Sequence, residues 1–446
     1  YSSRLGQGYF YKEWKHMKQP EIAKIGWITA AALVVSNMIG TGVFTSLGFQ
    51  LANVQNTISI VLLWLIGGVL ALIGAFTFAE LGTYHKRSGG DYIFISEAFH
   101  PFFGYLSGWT SLVAGFSAPV AIAAIAMEDY LKPLGVPYTR YLSVTLILGL
   151  STMHSISIKH SSWFQLLTTI VKALFIGILL ALPFFFGDVP NHAINFSTPI
   201  QPEVFSTGFA VSLLYVTYAY TGWNAAAYIV GEIDQSQKNL PKALLTGTLI
   251  VTIVYIALQL VFLQFARMDQ LTGKSEVALI AIQNILGNTG ASWVSLGIAV
   301  QLIATMSSYI WIGSRITHMM AQQHGLWQFL RSNNGAHVPV RALWLQTGLT
   351  LILLFSGTLE EVLLYTSFVL QLMGTLAVAS LLRTKRTEGH FHSPLRPYLQ
   401  WAYVLFSCAV LIFIIQDRPK ESIGGVLMIC LGGATYFFSK ERYSTK

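Results

Sequence analysis

Apolar runs of membrane-spanning length recur along this chain and leave little room for another architecture. Twelve can be marked, at about residues 25–51, 57–82, 103–127, 138–156, 162–186, 204–232, 241–266, 291–319, 341–357, 360–382, 396–416 and 422–439. Each approaches the ~20 residues needed to cross a ~30 Å hydrocarbon core. In lipid the backbone must satisfy its own hydrogen bonds, and runs of this length do so as helices. Charged residues make up only 10% of the 446, against roughly 25% in a soluble domain. Mean hydropathy is +0.57. The expected fold is therefore an all-α integral membrane protein of 12 transmembrane helices in a lipid bilayer.

The charges orient it. An even number of spans puts both termini on one side. That side collects 20 of the 27 Lys and Arg; six lie opposite (Lys132, Arg140, Arg267, Lys274, Arg418 and Lys420), and Lys172 lies inside a run. Positive residues concentrate in the cytoplasm, so both termini are expected there. The net charge of +8 follows from this bias and does not point to nucleic acid. The first 20 residues are polar and basic, with no small-residue cleavage site after a short apolar core, so no cleavable signal is expected. Met17-Lys18-Gln19-Pro20 reads as a natural start, which makes 1–16 an extension and 1–23 a cytoplasmic segment. The two cysteines, Cys408 and Cys430, lie in apolar runs, so no external disulfide framework is expected.

Within the first run, Gly40-Thr41-Gly42 interrupts the apolar pattern. A mid-helix glycine costs about 1 kcal/mol against alanine. Two readings are open. Small residues let helices approach closely; alternatively the helix breaks there, and its freed backbone groups line a binding cavity. A break would suit a carboxylate, held by N–H groups at the positive end of the following half-helix. The sixth run carries a matching interruption at Thr221-Gly222, inside Tyr218-Ala219-Tyr220-Thr221-Gly222-Trp223-Asn224. Interruptions at corresponding places in two halves of five, residues 24–186 and 204–382, suggest inverted repeats around a midplane transport site. Residues 396–439 add two further helices. Residues 275–286 are apolar but too short to span and suggest an external amphipathic helix over a vestibule.

Lys172 is the one ionisable group deep in a run, about ten residues or roughly 15 Å from the cytoplasmic end of the fifth. An intramembrane charge costs at least about 2.5–3.5 kcal/mol and is usually functional. Its ammonium can brace the bundle against carbonyls or stand where a coupling cation would sit, beside carbonyls freed at Ser36 and Asn37. Glu80 and Glu232, at cytoplasmic ends, suit structural pairing. His154, His160 and His318 lack metal-ligand spacing. Arg87-Ser88-Gly89-Gly90-Asp91 is a glycine turn and not a phosphate loop, since no Gly-x-x-x-x-Gly-Lys occurs. Of the tryptophans, only Trp311 is placed to see a ligand. No metal or cofactor is implied.

These residues resemble the amino acid–polyamine–organocation superfamily, most closely the L-type amino acid transporters and their bacterial relatives. The likeness rests on Ile39-Gly40-Thr41-Gly42-Val43-Phe44, on Ala79-Glu80-Leu81-Gly82 with Ser88-Gly89-Gly90-Asp91-Tyr92, and on Ala219-Tyr220-Thr221-Gly222-Trp223-Asn224 with Gly231-Glu232-Ile233 and Lys238-Asn239-Leu240-Pro241-Lys242-Ala243. Ser314-Arg315 completes it, and it covers about residues 20–440. It implies a five-plus-five inverted-repeat fold of the LeuT type, with unwound spans one and six and two added helices. By that resemblance a substrate lies among Ile39, Gly40, Thr41, Gly42, Tyr218, Ala219, Tyr220, Thr221 and Asn224. Gly40 to Gly42 take its carboxylate; the carbonyls of Tyr218, Ala219 and Thr221 take its ammonium. Tyr218 matches an aromatic lid, and Lys172, with Ser36 and Ser307 or Ser308, replaces sodium. Residues 127–138 lack the cysteine that links eukaryotic members to a heavy chain, so no disulfide-linked partner is expected.

The expected function is sodium-independent transport of small neutral amino acids by alternating access, as an exchanger in a bacterial inner membrane. The nearest rival is a proton-coupled symporter. A channel would need a filter or charge ring, and an enzyme an acid–base pair. A cationic substrate needs a distal carboxylate, and no Asp or Glu lies in 25–51 or between Phe205 and Val230. Alanine, serine, threonine and cysteine are thus expected to compete well, and arginine, lysine or agmatine poorly. Impermeant thiol reagents should label single cysteines at Asn195 or Ser275 and spare those at Ser88, Gln237 or Ser393. A reversed pattern would overturn the orientation.

Overall fold

The computed structural model describes residues 25–85, 89–156, 158–186, 202–332 and 338–439. Residues 1–23, the turn residues Lys86 to Ser88, and Asn195 lie outside these, as do the side chains of Lys159 and His160. Among the described residues the chain is helical, apart from turns and a single β-bridge between Ile25 and Ile233. Nine helical segments among the described residues are long and apolar enough to cross a membrane, and two shorter ones, Thr207–Ala219 and Val340–Leu354, are also apolar. The count falls below twelve because of these two and because Thr139–Ile156, rich in Ser and Thr, is less apolar.

In order, the helices are α1 (Trp27–Met38), α2 (Thr41–Gln50), α3 (Thr57–His85), α4 (Asp91–Ala98), α5 (Pro101–Thr110), α6 (Ala118–Leu131), α7 (Thr139–Ile156), α8 (Ile158–Phe185), α9 (Thr207–Ala219), α10 (Ser236–Phe265), α11 (Val277–Gln323), α12 (Val340–Leu354), α13 (Leu359–Arg383), α14 (Tyr398–Asp417) and α15 (Pro419–Ser439). A π-helical turn, Ser111–Ser117, joins α5 to α6, and a 3-10 segment, Ala225–Glu232, follows α9. The short helix expected over 275–286 and the run at 291–319 form one element, α11. It bends at Gly287, whose φ of 62° is left-handed and free of cost only for glycine. Val277, Ala278, Ala281 and Ile282 before the bend are fully buried.

Helix ends follow local chemistry. Ser206 caps α9 by accepting the Phe209 N–H at 3.1 Å. Thr358 and Glu361 form a reciprocal capping box at α13: the Thr358 N–H donates to Glu361 at 2.9 Å, and the Glu361 N–H to the Thr358 hydroxyl at 3.3 Å. The interior is centred on α10, which packs against both α1 and α3. Trp64 of α3 is fully buried there. Its indole N–H donates to Gln50 at 3.0 Å, and its ring meets Tyr255 of α10 edge-on at 5.4 Å.

Ion pairs tie the helix ends, in the pairing role read for Glu80 and Glu232; the Glu80 pair is buried, whereas the Glu232 pair is half-exposed. Glu80 accepts the Ser393 N–H at 2.8 Å and pairs with Arg396, which also donates to the Leu381 and Thr384 carbonyls. Arg315 lies 3.8 Å from Glu232. Removing one partner of the buried Glu80–Arg396 pair costs about 3–5 kcal/mol. The packing also corrects two labelling positions. Ser275 is buried against Asp129 and Glu276, and Ser393 against Gln400. Lys274 and Thr387 are exposed, and single cysteines there test the expected orientation: an impermeant reagent should label Lys274→Cys and spare Thr387→Cys.

Candidate functional site

The first chain breaks between α1 and α2, at Ile39 and Gly40, one residue before the centre of the expected Gly40-Thr41-Gly42 interruption. Ile39 is extended (φ −73°, ψ 98°), whereas Thr41 and Gly42 already belong to α2, where they present first-turn N–H groups. The last carbonyls of α1 have lost their helical partners, and each acquires one from elsewhere. Lys172 Nζ donates to the Ser36 carbonyl at 3.2 Å and to the Ile39 carbonyl at 2.7 Å. The Tyr309 hydroxyl reaches the Asn37 carbonyl at 3.3 Å. The Tyr255 hydroxyl donates to the Met38 carbonyl.

Lys172 makes a third bond, to Thr305 Oγ1 of α11 at 3.2 Å. An ammonium has three N–H donors, and three neutral oxygens use them all. The side chain is only 3% exposed. Of the serines grouped with it from sequence, Ser36 contributes its carbonyl, while its hydroxyl bonds Thr169 at 3.1 Å. Ser307 bonds His154 Nε2 at 2.8 Å, and Ser308 bonds Asn37 Oδ1 at 3.4 Å. Thr305 and Ser308, three residues apart, share the helical face turned to the break; Ser307 points elsewhere.

The second break follows α9. The chain turns over Tyr220 to Asn224, and Gly222 adopts φ +100°. Thr221 folds back on the Tyr218 carbonyl, donating its N–H at 2.9 Å and its hydroxyl at 2.7 Å. The Ala219 carbonyl accepts from Tyr255 at 2.9 Å, so one hydroxyl on α10 bridges both breaks. The breaks also touch: a Cβ on Gly42 would lie 2.5 Å from Ala219 Cα, where only glycine fits.

Beside this contact lies a cavity of about 120 Å³. Tyr218, Tyr220, Thr221 and Asn224 line it, together with Asn37 and Tyr309. Ile39, Gly40, Thr41, Gly42 and Ala219 do not; they lie at or beside the contact between the breaks. The π-helical turn adds Ser111, Gly115 and Phe116 to the wall; such turns widen a helix and recur at functional sites. Trp311 is off the cavity and carries the Arg315 guanidinium 4.8 Å over its ring. No group of three metal-ligating side chains occurs among the described residues, and both cysteines are free.

Three participants escaped the sequence reading: Tyr255, Tyr309 and Thr305. A tyrosine in an apolar run carries a hydroxyl that must find an acceptor, and that signal was available for the two tyrosines. A fourth, Asp91, stands on the cavity wall.

Two interrupted helices that meet at a cavity with polar groups on a mainly apolar wall, within an apolar helical bundle, are the parts of a membrane transporter. The family model for amino acid permeases matches residues 25–436, and the chain belongs to that family, within the amino acid–polyamine–organocation superfamily. It is 26% identical to the serine/threonine exchanger SteT of Bacillus subtilis (strain 168) over 432 residues, covering 94% of this chain and 97% of that protein. It is 26% identical to the b(0,+)-type amino acid transporter 1 of Mus musculus over 432 residues, covering 93% and 87%. Its identity to the cystine/glutamate transporter of Homo sapiens is 27% over 430 residues, covering 93% and 85%. The chain is thus a multi-pass amino acid transporter of the membrane, and not an enzyme.

Tyr255 offers a direct check of the coupling between the breaks. Tyr255→Phe leaves the Met38 and Ala219 carbonyls without their shared donor, at a cost of about 1–3 kcal/mol. Thermal unfolding in detergent should show lower stability than wild type. An unchanged midpoint would mean that the hydroxyl does not hold the breaks together.

Proposed function

We propose that this protein exchanges small neutral amino acids across a bacterial inner membrane, independently of sodium, by alternating access. The fold is taken as twelve spans with cytoplasmic termini, built as two five-helix inverted repeats plus α14 and α15. The observation that carries the reading is Lys172. Its ammonium occupies a nest of two break carbonyls and one hydroxyl, the oxygen set a small cation would take. A fixed charge there removes the need for a coupling ion.

Substrate binding follows from the breaks. The N–H groups of Gly40, Thr41 and Gly42 are offered to the carboxylate, with the α2 dipole behind them. Carbonyls of the second break, at Tyr218, Ala219 and Thr221, take the ammonium, and Tyr218 closes over the ligand. Since Gly42 touches Ala219, this mode requires the breaks to part slightly as the ligand enters. A cavity of about 150 Å³ holds a benzene-sized molecule, so one of about 120 Å³ suits an amino acid with a short side chain. The exchanger named for serine and threonine among the relatives supports that size and mode.

Uptake of radiolabelled alanine or serine into proteoliposomes tests this. Uptake should be equal in sodium and choline and should depend on amino acid preloaded inside. Unlabelled alanine, serine, threonine and cysteine should compete, and arginine poorly. A sodium requirement would remove the cation-replacement argument. Uptake driven by a pH gradient into empty vesicles would establish proton symport instead.

A further inference from the structure

The sequence offers no carboxylate in 25–51 or between Phe205 and Val230, yet the folded cavity has one. Among the described residues, Asp91 is the only Asp or Glu on its lining. It arrives through the glycine turn that opens α4. Gly89 and Gly90 have φ of +136° and +50°, and a Cβ on Gly90 would lie 2.6 Å from the Tyr228 ring. The glycine pair therefore lets the first residue of α4 press against the 3-10 segment that follows the second break. Asp91 Oδ1 accepts from Asn224 Nδ2 at 3.3 Å, and the Tyr228 hydroxyl is within hydrogen-bonding reach. The same Asn224 amide also meets the Tyr228 hydroxyl at 3.2 Å. Both neighbours are neutral, and no Lys, Arg or His pairs with Asp91 among the described residues. Its own backbone N–H is a third neutral donor; a carboxylate accepts about four hydrogen bonds, and three neutral donors neither fill nor neutralise it. Its remaining capacity is turned to the cavity.

We propose that Asp91 determines side-chain specificity at the distal end of the cavity, selecting short substrates whose side chain ends in a hydrogen-bond donor, a hydroxyl or an ammonium. This rests on the amino acid transport reading and extends its substrates from neutral amino acids to short ones with a cationic side chain. The main chain of the ligand lies at the breaks; its side chain extends past Thr221 and Asn224 to Asp91. The small volume limits length, so a short diamino acid fits where arginine does not.

Matched pairs of nearly equal shape separate the donor from the bulk. Serine is compared with 2-aminobutyrate, and 2,4-diaminobutyrate with norvaline, as competitors of labelled alanine uptake in proteoliposomes. In wild-type protein each donor-bearing member should compete about tenfold better than its apolar twin, the typical effect of a hydrogen bond to a charged group. In Asp91→Asn the preference for 2,4-diaminobutyrate should fall to parity or reverse. Parity within both wild-type pairs overturns the proposal without any variant, so a poorly folded variant cannot shield it. An undiminished preference in an active Asp91→Asn protein also overturns it. Absence of alanine uptake by the wild-type protein would instead remove the transport reading, and this inference with it.

Discussion

The structure depends on what happens to four carbonyls. Breaking a helix in the interior of an apolar bundle strands the backbone oxygens of Ser36, Asn37, Met38 and Ile39, and no lipid can satisfy them. Lys172 takes two of them and spends its third N–H on Thr305. Tyr309 and Tyr255 take the others. The break is thus held by α8, α10 and α11 together, and a local loss of helix becomes a constraint on three distant elements.

That constraint explains the asymmetry of the two breaks. The first is secured mainly by side chains from other helices. The second secures itself in part, with Thr221 folded back on the Tyr218 carbonyl. Tyr255 couples them, its single O–H shared between the Met38 and Ala219 carbonyls. A motion that moved α10 relative to either break would open one hydrogen bond at each, so the breaks are linked mechanically as well as by contact. Alternating access needs such a link, because the two half-helix pairs must change together around one ligand.

Much of this was legible in the sequence, and the boundary of legibility has physical causes. Glycines and a lysine in apolar runs are conspicuous because lipid penalises them, so the breaks and Lys172 announce themselves. Partner identity does not. Tyr255 lies 217 residues from Met38, and Asp91 lies 133 from Asn224; those meetings are set by helix packing and by a glycine turn. The break also sits at Ile39–Gly40 and not around Thr41, because α2 begins as soon as Gly40 allows it and its first turn absorbs Thr41 and Gly42. Length and apolarity alone support nine of the twelve runs among the described residues, since α9 and α12 are short and Ser and Thr make α7 less apolar.

The most direct test of the account is equilibrium binding of radiolabelled alanine or serine to purified protein, comparing wild type with Lys172→Ala in sodium and in choline. Without the ammonium the Ser36 and Ile39 carbonyls lose their donor, and the contacts left to α8 and α11 are those of the Ser36 hydroxyl with Thr169 and of Asn37 with Tyr309 and Ser308. The account predicts strongly weakened binding by the folded variant, and wild-type binding that is indifferent to sodium. Wild-type affinity in Lys172→Ala would contradict it and reduce the lysine to a dispensable brace.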